Sequence, residues 1–270
     1  MRPILLPLIG HLRLLVLAGV PVLSLGSLVL SGNLEDGLQA YSAKDYETAL
    51  QLLRPLAEAG NADAQLQLSF MFEFGHGVET NDAESLRWLR LAADQDQAEA
   101  QYWLASTYQF GRGYSDDRIE PDVVKALKWY RAAAENGHVV AGLTLGKSYR
   151  LGTLTERDYA QAADWYRLAA THAEDRPKAS WEGETLFWSA LKVASIYHHD
   201  LNVPDRYRLA YQWYEIALLA RHDETRIDSP FGPRRQRARV AANLSPAEIA
   251  RAEEDARAWI AGRNRRETAP

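Results

Sequence analysis

The stretch Ala126-Leu127-Lys128-Trp129-Tyr130-Arg131-Ala132-Ala133-Ala134-Glu135-Asn136-Gly137, with Ala141, Leu145, Tyr149 and Gly152 after it, decides the fold. Trp129 and Ala133 stand four residues apart and share one face of a helix that Gly137 stops. Beyond the stop, Ala141, Leu145 and Tyr149 keep the four-residue spacing as a second apolar stripe, and Gly152 ends it three residues after the aromatic. The spacing predicts two antiparallel helices joined by a tight turn. Neither can bury its stripe alone.

The same register recurs along the chain. Trp88, Trp165 and Trp213 occupy the place of Trp129, with Leu52 there in the first unit, and Ala92, Ala169 and Ala217 follow four residues later. Ala64, Leu68 and Phe72, then Ala100, Leu104 and Tyr108, repeat the second stripe. Gly60, Asp96 and Gly137 mark the turns inside units, and Gly75, Gly111 and Gly152 mark the exits. The exit glycines lie 36 and then 41 residues apart, longer than the ~34 of a tetratricopeptide repeat. An all-α solenoid follows, in which each unit touches only its neighbours.

This register, with the echo Ala162-Ala163-Asp164-Trp165-Tyr166-Arg167-Leu168-Ala169-Ala170, resembles the Sel-one-like repeats (SLR), relatives of the tetratricopeptide family, from Leu38 to about Ala220. The resemblance implies right-handed stacking, a concave face lined by first helices and a role in holding other proteins. Members serve in bacterial envelope regulation, exopolysaccharide export and host interaction, and some are linked to β-lactam binding or hydrolysis. The expectation is a non-enzymatic scaffold or regulator without cofactor. A cell-wall-related hydrolase and an exopolysaccharide accessory protein are the alternatives. Leu52 in place of Trp, and Asp200 in place of an exit glycine, mark the first and fourth units as caps.

The 270 residues carry a net charge of −5, which gives no support to nucleic-acid binding. Absence of cysteine excludes disulfides, thiolate catalysis, Cys-ligated zinc and a lipidated Cys. Arg2 and Arg13 precede an uncharged run from Leu14 to Leu30, with Glu35 and Asp36 behind it. Residues 1–32 therefore read as a cleaved signal peptide or an uncleaved membrane anchor, with a buried core helix as a third reading. Either of the first two puts the repeats in the periplasm or on the periplasmic side of the inner membrane, with membrane contact only through this segment.

Residues 33–220 are read as about four and a half repeats, and 221–245, with Pro230, Gly232, Pro233 and Arg234, Arg235, Arg237 and Arg239, as a linker. Ser245-Pro246-Ala247-Glu248 starts a helix over 246–263, whose stripe is Ile249, Ala252, Ala256, Trp259 and Ile260. Residues 264–270 are expected to be a disordered tail.

Candidate chemistry is sparse. Ala141-Gly142-Leu143-Thr144-Leu145-Gly146-Lys147-Ser148 mimics a phosphate-binding loop, but it lies inside a helical stripe that hides the needed backbone N–H groups. Gly75-His76-Gly77 and Gly111-Arg112-Gly113 follow helices rather than strands. His198-His199-Asp200 lacks the helical spacing of a metal pair, and Asp116, Asp117, Glu120 and Asp122 lack the alternation of a calcium loop. No catalytic or metal-binding residue is assigned. The positive candidates are Arg90, Arg131 and Arg167, two residues after each Trp, which could line one surface as partner contacts for an acidic peptide, a polysaccharide carboxylate or a charged protein rim. Glu215 ends that series. Trp88, Trp129, Trp165 and Trp213 are expected to be structural.

Overall fold

The computed structural model describes residues 34–111, 119–173, 185–201, 203–220 and 232–267. The signal or anchor expected at 1–32 lies outside them, as do Asp116 and Asp117. Among the described residues the chain is helical and forms no β-strand. Helix α1 spans 34–42. It is followed by α2 (Tyr46–Glu58), α3 (Ala62–Phe74), α4 (Asp82–Ala93), α5 (Ala98–Phe110), α6 (Val123–Glu135) and α7 (Val139–Leu151). Then come α8 (Tyr159–His172), α9 (Thr185–Ser195) with a π-helical turn over Ile196–Asp200, α10 (Arg206–Leu219), α11 (Pro233–Ala241) and α12 (Pro246–Glu267).

Even-numbered helices from α2 to α8 are the first helices of the units, and α3, α5, α7 and α9 are the second. From α2 to α8 each starts on a side chain that satisfies orphan donors of its first turn. Asp45, Asn81, Asp122 and Asp158 cap the first helices, accepting from the N–H of Thr48, Glu84, Lys125 and Gln161. Asn61, Gln97 and His138 cap the second helices on Ala64, Ala100 and Ala141. The turns need a left-handed residue, supplied by Gly60 and Gly137 and, at φ 61°, by Asp96. Gly75 and Gly152 close α3 and α7 in the same conformation, as their place after the aromatic required.

Packing runs from each helix to its sequence neighbours, with α6 also touching α8, and α12 closing on α10. The core is accordingly segmented into three apolar clusters, centred on α2–α4, on α4–α7 and on α7–α12. The alanines four residues after each Trp are all buried. The Trp positions are not uniform: Trp88 and Trp213 are buried, whereas Trp129 and Trp165 are half-buried. The next residue lies deeper in every unit, as Leu53, Leu89, Tyr130, Tyr166 and Tyr214. A helix held between two neighbours buries a face two residues wide, so Trp marks its edge and the following residue its centre.

The phosphate-loop mimic is a packing device. A Cβ on Gly146 would meet ring carbons of Tyr166 at 2.6 Å, and one on Gly142 would meet the Ala169 Cβ at 3.1 Å, so the two glycines let α8 settle against α7.

Three expectations are corrected at the C-terminal end. Residues 221–245 are not wholly linker, because Pro233–Ala241 is a helix packed on α10. Its Arg237 pairs with Glu215 and lies 5.4 Å above the Tyr211 ring, and Val240 is fully buried. The final helix also continues to Glu267 rather than giving way to a tail at 264. Tyr211 donates to Glu253, Arg208 pairs with Asp255, and Trp213 meets Trp259 edge-on, so α11 and α12 together cover the last exposed face. The fourth unit is therefore not the cap. No described helix is long and apolar enough to cross a membrane.

Candidate functional site

Polar residues of the repeat fall into recurring bonds that fix one unit to the next. Gln65 and Gln101 each donate to a carbonyl at the end of their own first helix, Ala57 and Ala93. Their side-chain oxygens accept from Gln95 and Asn136 of the following unit. At the second-helix caps, Gln97 donates to Asp63, and His138 reaches Glu99 at 3.1 Å, in each case on the second helix of the unit before. His138 accepts the Ala141 N–H at Nδ1, so the proton of the neutral ring sits on Nε2 and points to the Glu99 carboxylate. His138 and Trp103 together hold the Glu99 carboxyl below its ordinary range.

The arginine series belongs to this scheme. Arg90 donates to the Tyr108 hydroxyl at 3.3 Å and Arg131 to that of Tyr149 at 2.7 Å, each joining the two helices of one unit. Arg167 lies 3.5 Å from the Tyr197 hydroxyl and pairs with Asp164. Arg54, two residues after Leu52, stands over the Phe72 ring at 6.0 Å, the same clasp with the hydroxyl missing. All three arginines of the series stay exposed, but each has a structural partner inside its unit, which is sufficient to account for their recurrence.

The recurring tyrosine at the centre of the first helix reaches between successive second helices. Tyr130 donates to Gln109 at 2.7 Å, Tyr214 lies 3.5 Å from His198, and Tyr166 is within electrostatic reach of Arg150. Burial pushes all three phenols up to about 12. His198 and His199 stack with ring centroids 3.9 Å apart on the π-helical turn, and burial lowers the pKa of His198. Among the described residues no group of three potential ligands gathers to hold a metal.

Two clefts open over these tyrosines, one repeat apart. The larger, about 390 Å³, lies above Tyr130 between α5 and α7 and is walled by Tyr102, Phe110 and Lys147 among others. The smaller, about 220 Å³, lies above Tyr166 between α7 and α9, walled by Arg150, Trp188, Leu191, Lys192 and Ser195. The second helices also end on exposed apolar residues, each just before an exit glycine: Phe74 (58 % exposed), Phe110 (71 %), which lines the larger cleft, and Leu151 (43 %). Sequence reading missed this face. The signal available for it was the placement of Phe74, Phe110 and Leu151 at one equivalent position.

Comparison with known proteins places the architecture. The Sel1 repeat matches residues 30–61, 62–97, 98–138, 145–173 and 189–222, more than half of the chain. A Sel1 repeat protein of Oxalobacter formigenes of known crystal structure is 28% identical, with a TM-score of 0.54 over 68% of this chain and 69% of that one. A protective antigen of uropathogenic Escherichia coli displaying an SLR fold is 23% identical with a TM-score of 0.40, over 86% of this chain and 53% of that one. No curated protein matches the sequence. Sel1 repeats generally mediate protein–protein interaction and are generally non-catalytic. With five such repeats in register, the chain belongs to the Sel1 repeat family.

Proposed function

We propose that this chain is a non-enzymatic scaffold or regulator that holds another protein in a bacterial envelope, with its repeats on the periplasmic side. The observation that carries the reading is the face formed by the second helices. It exposes Phe74, Phe110 and Leu151 at one equivalent position of successive units and holds two clefts, the larger lined by Phe110, on a stack whose recurring Gln, Arg and Tyr side chains are already engaged in internal contacts. Burying these residues against a partner would remove apolar surface from water at ~25 cal/mol per Å². The envelope part rests on Arg2, Arg13 and the uncharged run Leu14–Leu30.

Three measurements test it. A reporter fused after residue 40 is expected to work only in a periplasmic assay, and cytoplasmic activity would refute the location. A photo-crosslinking residue placed at Phe110 in the full chain is expected to trap a defined envelope protein in cells. Hydrolysis of a β-lactam or a peptidoglycan fragment by the purified chain, lost on changing one Ser or His, would replace the scaffold with an enzyme.

A further inference from the structure

Three cations converge at the cleft between α7 and α9. Lys147 and Arg150 lie on α7 with exposed side chains, and Lys192 rises from α9 between them and the Tyr166 ring, its ammonium 5.8 Å from the ring centroid. Arg150 and Lys192 line the 220 Å³ cleft, and Lys147 lines the 390 Å³ cleft beside it. Among the described residues none of the three pairs with a carboxylate, although the chain as a whole is acidic at −5 and its other basic residues repeatedly find Asp or Glu. Burial, and then the charges of Arg150 and Lys147, lower the pKa of Lys192. Tyr166 and Ser195 line the same cleft. The other wall is apolar, built from Trp188 and Leu191.

The adjoining cleft has the complementary character. Tyr102 and the largely exposed Phe110 offer rings, with Gln109, Ser106 and Thr144 as polar edges. The two clefts occupy equivalent places one repeat apart and meet along α7. Second helices of successive units pack on the first helix between them, which sets their cleft-to-cleft spacing on the order of 10 Å, and an extended chain at ~3.3 Å per residue covers that in about three residues.

Resting on the scaffold reading above, we propose that the groove across α5, α7 and α9 binds an extended acidic segment of the partner protein. One carboxylate sits against Arg150, Lys192 and Lys147, and a bulky apolar side chain about three positions away sits against Tyr102 and Phe110. The charge of the cluster selects the carboxylate and the ring-lined cleft selects the apolar residue. The arginines two residues after each Trp are not needed, since they clasp tyrosines.

Fluorescence anisotropy on the purified full chain tests this with labelled dodecapeptides. One carries glutamates three positions from leucines, a second has glutamine for glutamate, and a third has serine for leucine. The acidic–apolar peptide is expected to bind saturably, at least tenfold tighter than either control, and to weaken as salt rises from 50 to 300 mM. Lys192→Met, and separately Lys147→Gln with Arg150→Gln, are expected to weaken it at least tenfold while the melting temperature holds. The double variant changes only exposed side chains, so it decides the matter if Lys192→Met fails to fold. Equal binding of the glutamine peptide, no binding of any peptide, or binding unaltered in the folded variants overturns the site. Tighter binding of a glucuronate oligosaccharide than of the acidic peptide also overturns it, in favour of a saccharide groove. Those results leave the scaffold reading standing if the Phe110 crosslink still traps an envelope protein. Loss of that crosslink with the peptide results intact sinks the scaffold reading alone.

Discussion

The guanidinium of Arg131 donates to the hydroxyl of Tyr149 at 2.7 Å, and Arg90 repeats the bond to Tyr108 across the same separation of 18 residues. The bond ties the middle of a first helix to the end of its own second helix, where the exit glycine turns the chain. It is charge-assisted but partly open to water, so it should contribute about 1 kcal/mol. Arg131→Ala and Tyr149→Phe are each expected to cost about that much in urea unfolding, and the double variant no more than either, giving a coupling of roughly 0.5–1.5 kcal/mol. Strict additivity would show that the two side chains do not act on each other.

Gly146 and Gly262 should respond oppositely to the same substitution. A methyl on Gly146 meets the Tyr166 ring at 2.6 Å, and Tyr166 is only 2 % exposed, so the ring has no free direction in which to yield. Gly146→Ala is expected to cost about 1–3 kcal/mol through overpacking, against any gain in helix propensity. Gly262 lies in α12 with nothing within 4 Å of its would-be Cβ. Gly262→Ala should therefore stabilise by about 0.5–1 kcal/mol. Thermal melts of the two variants shifting in the same direction would contradict the α7–α8 contact described above.

The three central tyrosines predict an alkaline limit to stability. Burial raises Tyr130, Tyr166 and Tyr214 to about 12, from an ordinary value of 10.0. Between those two values the unfolded chain releases the phenolic protons and the folded chain keeps them. Protons then bound are fewer in the unfolded state, so stability is unaffected below about pH 10 and falls as pH rises toward 12. Each tyrosine contributes at most about 3 kcal/mol to the loss, two units at ~1.4 kcal/mol each. Ultraviolet titration should show the last phenols to ionise doing so only with loss of helical circular dichroism, and Tyr130→Phe, Tyr166→Phe and Tyr214→Phe together should remove that late phase. Full ionisation by pH 10.5 in a folded chain would refute their burial.

Much of this fold was open to reading because alanine, aromatic and glycine recur at fixed spacings. Ala133, Ala141 and Gly152 each have one physical task, and a single residue type suits it. The unit-to-unit polar bonds were not readable, since the cap position is filled by Asn61, Gln97 and His138, three chemistries that share only an acceptor. Helix α11 was missed for a related reason. Arg234, Arg235, Arg237 and Arg239 give it no apolar period, and it is held from outside, by Glu215 and by the burial of Val240. The basic cleft was also hidden. Lys147 and Lys192 look like ordinary surface residues, and only the packing of α7 and α9 against α8 brings them together.

Tyr130 rather than Trp129 should carry the third unit. A stripe of spacing four picks out Trp129 and Ala133, yet Tyr130 is 2 % exposed and bonded to Gln109 of the preceding unit, whereas Trp129 is half-buried at the edge. Tyr130→Ala removes a ring from between two second helices and leaves a cavity that the rigid stack fills poorly. A loss of about 3–5 kcal/mol is expected. Trp129→Ala removes a ring that already meets water on one side, and roughly 1–2 kcal/mol should follow at ~25 cal/mol per Å² of the area lost. Units couple only through their neighbours, so the larger lesion should also broaden the unfolding transition and uncouple the α2–α5 half from the α8–α12 half. Chemical denaturation of both variants beside the parent decides between them. A Trp129 variant as unstable as the Tyr130 variant would mean that the Trp edge, not the tyrosine centre, bears the packing.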